Sequence, residues 1–358
     1  MRKYLLACLL CTCFPCMAGD FTIVLLPDIQ NLTQYNGFLL TAMMNAIVAN
    51  KDTCTAPFCP TSGQWNIQAV MGLGDNTNST DSGQMTAAQT AWNILKNAGL
   101  VVLVPMGNHE FDGASPAGRL TTVFDSFFGP SFYAGKSWYG GGFPEGSSAN
   151  LYELATIEGY PLLLMGLEFY PRCTATGIFA TVCAGSTTTV DTASWAESIL
   201  TANAARQAIV ESHGYVTPLN GSVHRVLNTD TYGPNDYSLG GANWLNGAEL
   251  YSTLVQNNNI VVMAGGHFIG GAYHGHISPQ GTNALWHPVA EIFSDAQDDV
   301  NNNYITLLKF RPSLSKIEVY NYIQSAGAFD HNFPMYTLDW TPPTVSGGLF
   351  PLPSPRKH

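Results

Sequence analysis

Short apolar runs, each closed by Gly or a polar side chain, recur along the chain. Phe21 to Pro27 ends in Asp28-Ile29-Gln30, and Ile67 to Leu73 ends in Gly74-Asp75-Asn76. Val101-Val102-Leu103-Val104-Pro105-Met106 leads into Gly107-Asn108-His109-Glu110. Ala208-Ile209-Val210 ends in Glu211-Ser212-His213, and Ile260 to Ala264 ends in Gly265-Gly266-His267. Runs this short, closed by glycine or polar residues, predict buried strands of an α/β protein. Between them the spacing predicts helices over 34–50 (apolar positions Phe38, Leu39, Met43, Ile47, Val48), 84–98 with Gly99 as the stop, 186–207 behind a Ser/Thr cap, and 246–256. The alternation up to residue 104 predicts parallel strands joined by helices. Paired strands are expected over 149–155 and 160–168, and a hairpin over 305–311 and 315–323. Two Gly- and aromatic-rich stretches, 112–146 and 230–242, read as long loops at the rim of a cleft. The aromatics of the first serve equally well as a cleft wall or as a cover for the core.

The residues that close the five runs change the picture from fold to chemistry. Polar groups at the carboxyl ends of strands sit where open α/β folds place ligands. Carboxylate, carboxamide and imidazole together suit a hard-to-borderline divalent metal such as Mn, Fe, Zn or Mg. A shared Asp can bridge two ions about 3.5–4 Å apart, the clamp used in phosphoryl chemistry.

The ordered set Asp-x-Gln, Gly-Asp, Gly-Asn-His-Glu, His and Gly-His resembles the calcineurin-like metallophosphoesterase superfamily. It is most similar to a secreted-type branch whose first motif reads Pro-Asp-x-Gln, here Pro27-Asp28-Ile29-Gln30. The resemblance covers roughly residues 20 to 325 and extends to Glu291-Ile292-Phe293-Ser294-Asp295-Ala296-Gln297. It implies a four-layer αββα β-sandwich of mixed sheets flanked by helices, with two divalent metal ions that hydrolyse phosphate mono- or diesters through a metal-bound hydroxide. On that resemblance Asp28 binds the first metal with Gln30 at or near it, and Asp75 bridges both. Asn108, His213 and His267 complete the second metal site, and His109 is the general acid for the leaving oxygen. An imidazole suits that task because its pKa lies near neutrality.

Three positions depart from the family pattern. Gln30 stands where the first motif usually has His, and Ile269 where the last motif has its second His. Asn78 stands where an acidic residue often orients the catalytic His. The first metal site is therefore the thinner one, and His274 or His276 is a candidate to substitute there. A purple-acid-type phosphatase is an alternative, since Val210-Glu211-Ser212-His213 fits its Val-x-x-His pattern; the Tyr expected three residues after the Gly-Asp pair is Asn78. A second alternative is a catalytically degenerate binding protein on the same scaffold. A Ser-His-Asp hydrolase is disfavoured, because no Gly-x-Ser-x-Gly elbow is present. His224, His287, His331 and His358 carry no assignment, Glu211 is given no ligand role, and Asp295 and Asp298-Asp299 read as turn and surface acids.

Composition narrows partners and compartment. Of 358 residues, 46% are hydrophobic and 11% charged, and the net charge is −11. With no Lys/Arg cluster, a nucleic-acid docking surface is not expected. A small phosphorylated substrate remains compatible, because metals supply the positive charge. Residues 1–18 read as a signal peptide, with Arg2-Lys3 before an apolar, Cys-rich stretch, so the chain is expected to be secreted, with no transmembrane span after cleavage. Residues 19–330 then form one metallophosphoesterase domain, since ligands run from 28 to 267, and 331–358 a Pro/Gly-rich tail. Outside the leader, Cys54, Cys59, Cys173 and Cys183 suggest the disulfides Cys54–Cys59 and Cys173–Cys183. Asn31, Asn78 and Asn220 head glycosylation sequons.

Overall fold

The computed structural model describes residues 19–54, 63–114, 118–219, 222–239, 243–257, 259–267, 273–297, 304–323, 328–329 and 336–343. The leader, Cys59, Asn220 and Ile269 lie outside the described residues. The five apolar runs form strands Phe21–Leu26, Ile67–Gly72, Val101–Leu103, Gln207–Ser212 and Ile260–Gly265. Their aliphatics are buried, as strands covered on both faces require.

Two mixed sheets carry the architecture. In the first, Phe21–Leu26 lies between Tyr304–Arg311, which is antiparallel to it, and Ile67–Gly72, which is parallel; Val101–Leu103 continues the parallel side. In the second, Tyr160–Leu167, Gln207–Ser212, Ile260–Gly265 and Pro288–Asp295 run parallel in that order. Antiparallel strands Asn150–Ile157 and Tyr273–His276 flank this set. The strand Tyr160–Leu167 shows how the layers stack. Leu162 and Leu164 join a core shared with the first sheet, whereas Leu163, Met165 and Leu167 join a second core with the helices Thr192–Ala202 and Gly247–Leu254. A two-residue side-chain period thus serves two cores at once. The helices Gly37–Ala49 and Ser82–Asn97 contribute their buried faces to the first core. The expected sandwich of mixed sheets flanked by helices is the observed one.

Several elements differ from expectation. The helix expected over 34–50 is two helices, Gln30–Tyr35 and Gly37–Ala49, broken at Asn36, whose side chain caps the second by accepting from the Leu39 N–H. The buried face is therefore Leu40, Met43, Met44 and Ile47, and Phe38 is left 80% exposed. The helix expected over 186–207 is only Thr192–Ala202, because Asp191 caps it and the chain before it is occupied by turns around the Cys173–Cys183 disulfide. The stretch 112–146 is not one long loop. It includes the helix Thr122–Phe128 and the strand Tyr139–Phe143, and Phe124, Phe128, Phe132 and Tyr133 pack ring against ring in the core. The core cover, not a cleft wall, is what these aromatics build. Tyr336–Asp339, placed in the tail by composition, pairs with Lys316–Ile323, and Trp340 is buried behind it. Among the described residues no helix is long and apolar enough to cross a membrane.

Glu153 is buried beside this aromatic cluster, and neither carboxylate oxygen accepts a hydrogen bond. Burial pushes its pKa well above the usual carboxyl range. A group raised above its unfolded value of about 4.3 leaves stability intact below that pH and withdraws it as pH rises towards the folded pKa. Glu153→Gln is therefore expected to stabilise the fold at pH 8 and to change little at pH 4, as read by urea unfolding. An unchanged or lowered stability at pH 8 would contradict this account.

Candidate metal centre

The carboxyl ends of the parallel strands of both sheets meet at one edge of the sandwich. Asp75 follows Ile67–Gly72 through Leu73 and Gly74, and both Gly74 (φ 89°) and Asp75 (φ 44°) adopt the left-handed conformation that turns the carboxylate inward. Space for it exists only because residue 107 lacks a side chain: a Cβ there would lie 1.9 Å from Asp75 Oδ1. That oxygen accepts from the His109 N–H at 3.0 Å, and the Asp75 carbonyl accepts from the Ile29 N–H at 3.2 Å. Three of the expected segments are thus tied together through one residue.

The second sheet supplies the imidazoles. His213 Nε2 lies 3.0 Å from Asp75 Oδ2, and its Nδ1 donates to the Leu73 carbonyl at 2.5 Å. His267, with φ 68°, places Nδ1 3.1 Å from His213 Nε2 and Nε2 2.7 Å from the Tyr237 hydroxyl. Phe169 packs edge-on against His267. One ligand-capable atom from each of Asp75, His213 and His267 lies within 4.8 Å of the others, and all three residues are buried. With His213 Nδ1 engaged, Nε2 of the neutral ring is a lone pair. When His267 Nε2 donates to Tyr237, its Nδ1 is a lone pair too. Two bare nitrogens facing each other beside a carboxylate require a proton or a cation between them. A backbone carbonyl holding the far nitrogen is also how metal-ligating imidazoles are oriented.

The donor chemistry fits a divalent cation. Asp75 Oδ2, Asn108 Oδ1 and Gln30 Oε1 are buried oxygens that accept no hydrogen bond, although Oδ2 is in ion-pair range of His213. Leaving a buried acceptor unmet costs about 1–3 kcal/mol, a deficit that a cation removes. Burial alone would raise the Asp75 pKa; the charges of His213 and His109 outweigh it and hold the carboxyl well below the usual range. For Asp28, burial and the anionic Asp75 and Asp295 all act in the same direction, and its pKa is raised well above the usual value. Burial, and then His213, lower the pKa of His267, whereas Asp75 raises that of His213 against its burial.

His109 is the member of this set that reaches solvent, with a side chain 27% exposed. Its Nδ1 lies 2.9 Å from the carbonyl of Asn78 and its Nε2 3.8 Å from Asp75 Oδ2. The backbone carbonyl of Asn78, and not its side chain, meets His109; Asn78 Nδ2 turns away to donate to Gln34 Oε1 at 2.7 Å. Glu110 fixes the loop from below: it accepts from Gly107 N–H (2.7 Å), Thr77 N–H (2.8 Å) and the Thr77 hydroxyl (3.1 Å).

The structure therefore joins Asp75, His213, His267 and His109 directly. Asn108 and Gln30 stand buried with unmet oxygens, and Gln30 Nε2 donates to Asp28 Oδ2 at 3.3 Å. His276 does not substitute at the first site: it pairs with Ile292, away from the strand end, and stacks on Tyr336. His274 Nδ1 lies 2.8 Å from the Ser294 hydroxyl. Two residues escaped the sequence reading. Tyr237 sits in a loop with no periodicity to flag it. Asp295 is fully buried rather than a surface acid, and the signal was present, since the apolar pair Ile292-Phe293 leads through Ser294 into this carboxylate.

No family model matches the chain, and no curated protein matches it. Among solved structures, the fold is similar to the purple acid phosphatase PPD1 from yellow lupin (Lupinus luteus) seeds, at 11% sequence identity and a TM-score of 0.50. The match covers 92% of this chain and 55% of that one, so this chain spans about half the length of the protein it resembles. Gly107→Ala should displace the Asp75 carboxylate while the strands persist. The expected result is reduced zinc uptake on loading, read by elemental analysis, with an unchanged far-ultraviolet circular dichroism spectrum. Undiminished zinc would remove Asp75 from the ligand set.

Proposed function

We propose that the chain is a secreted metal-dependent phosphoesterase that hydrolyses phosphate mono- or diesters. The observation that carries this reading is the buried Asp75–His213–His267 cluster at the strand ends of both sheets, with the partly exposed His109 held beside it. In this reading Asp75 would serve two divalent ions, Asn108, His213 and His267 would hold one of them, and Asp28 with Gln30 the other. Divalent ions in such a centre lower the pKa of water and stabilise charge on phosphoryl oxygens. The protein supplies position and protons. The Asn78 carbonyl keeps His109 Nδ1 protonated, so the proton available to a leaving oxygen is the one on Nε2. The Asp75 carboxylate lies 3.8 Å from that nitrogen. Export is supported by the Cys173–Cys183 disulfide, a bond that persists in oxidising compartments.

Similarity of fold to a purple acid phosphatase does not extend to its chromophore. Position 78 is Asn, with its amide bonded to Gln34, so no tyrosinate is placed there to bind iron. Iron-loaded protein is accordingly expected to show no purple absorption band; a visible tyrosinate band would favour the purple-acid reading instead.

The direct test is hydrolysis of nitrophenyl phosphate and its bis-ester after loading with Mn or Zn. His109→Ala is expected to reduce turnover by about 10²–10⁴-fold, the usual contribution of a general acid. Asn108→Ala is expected to lower it through loss of metal. Absence of turnover above these variants with any metal would replace the enzyme reading with that of a binding protein.

A further inference from the structure

Two turns of identical pattern face each other across the sandwich. Asp28-Ile29-Gln30 follows the strand Phe21–Leu26, and Asp295-Ala296-Gln297 closes the strand Pro288–Asp295. In each, the Asp Oδ1 accepts from the backbone N–H of the Gln two residues on, at 3.1 Å for Gln30 and 2.9 Å for Gln297. The turns touch: Asn31 Nδ2 donates to the Gln297 carbonyl at 2.5 Å. The parallel register of these strands ends at Gly265↔Phe293, so Asp295 and His267 each lie two residues beyond it.

We propose that these paired turns form an all-oxygen cation site, with Asp28, Asp295, Gln30 and Gln297 as its donors, beside the nitrogen-rich Asp75–His213–His267 cluster. It rests on the reading of this cleft as a two-cation centre, and it provides the ligands that the Ile269 and Gln30 departures leave that centre short of. Asp28 and Asp295 are 3% and 0% exposed, so both carboxylates are out of water. Gln30 is itself fully buried, its carboxamide is lodged on the Asp28 carboxylate, and its Oε1 accepts nothing. The Gln297 Oε1 is likewise a buried oxygen with no donor. Asp28 also feels the charges of Asp75 and Glu110, so anions crowd this side of the cleft. Two carboxylates and two amide oxygens with no imidazole make a hard donor set, which suits Mn or Mg over Zn.

The test counts ions rather than turnover. Mn bound per full-length chain is measured by equilibrium dialysis and elemental analysis, with the Mn electron paramagnetic resonance spectrum recorded alongside. Wild type is expected to hold two Mn with a spin-coupled spectrum. Asp295→Asn should weaken one of them by about tenfold or more while the other stays, converting the spectrum to that of an isolated ion. Gln297→Met, a change at a partly exposed position, should weaken the same ion to a smaller degree and guards against misfolding of the first variant. His267→Ala should remove the other ion. Two Mn bound with unchanged affinity in both Asp295→Asn and Gln297→Met would overturn the site. One ion in wild type, lost in His267→Ala, would overturn it while leaving the phosphoesterase reading standing. No ion in wild type would overturn both.

Discussion

A carboxylate sealed from water must be met by donors or positive charge, or it takes up a proton. Asp75 is that carboxylate here, and much of the local architecture answers to it. The His109 N–H and the His213 ring approach its two oxygens from opposite sheets. Gly107 gives it room, and Gly74 lets the chain turn into position. Asp75 and His267 themselves hold left-handed backbone conformations, each costing on the order of 1–3 kcal/mol. Packing repays such strain only where the rest of the fold leaves the residue no alternative.

That packing is visible one layer out. Asn76 donates to the Pro105 carbonyl at 2.7 Å and accepts from the Trp92 indole at 2.9 Å, which joins the ends of two strands to the helix behind them. Glu110 gathers three donors from the same two loops. Burial raises its pKa to about 7, and Asp75 adds to that rise. Phe169 and Tyr237 close over His267 from the other side. A site held in this way needs little rearrangement to receive a ligand, which is the main advantage of building it on strand ends rather than on loops.

The cleft is chemically lopsided. One side presents imidazole nitrogens and the solvent-reaching His109, and the other presents carboxylate and carboxamide oxygens around Asp28. Asp75 lies between them and feels both: the histidines lower its pKa, and its charge raises that of Asp28. Nitrogen-rich and oxygen-rich donor sets differ in the ions they favour, so the two halves have different ligand chemistry even though they share a carboxylate.

Strand identity and much of the candidate site were legible in the residues. Continuous apolar runs have few ways to hide from water, and a polar group placed just past such a run has to emerge at the strand end, so Asp75, His109, His213 and His267 were identifiable before any coordinates. What the sequence could not decide were matters of side-chain direction and contact between distant segments. The break at Asn36 rotated a helix face and exposed Phe38. The aromatics of 112–146 became core, because rings that can stack on one another bury more surface together than each does alone against solvent. The backbone of Asn78 meets His109, while its side-chain amide is taken up by Gln34. Tyr237 reaches His267 from a loop, and Asp295 is buried at the end of its strand. Local pattern determines which residues reach a strand end; only the tertiary structure, by setting which strand ends share one volume, determines which of them meet.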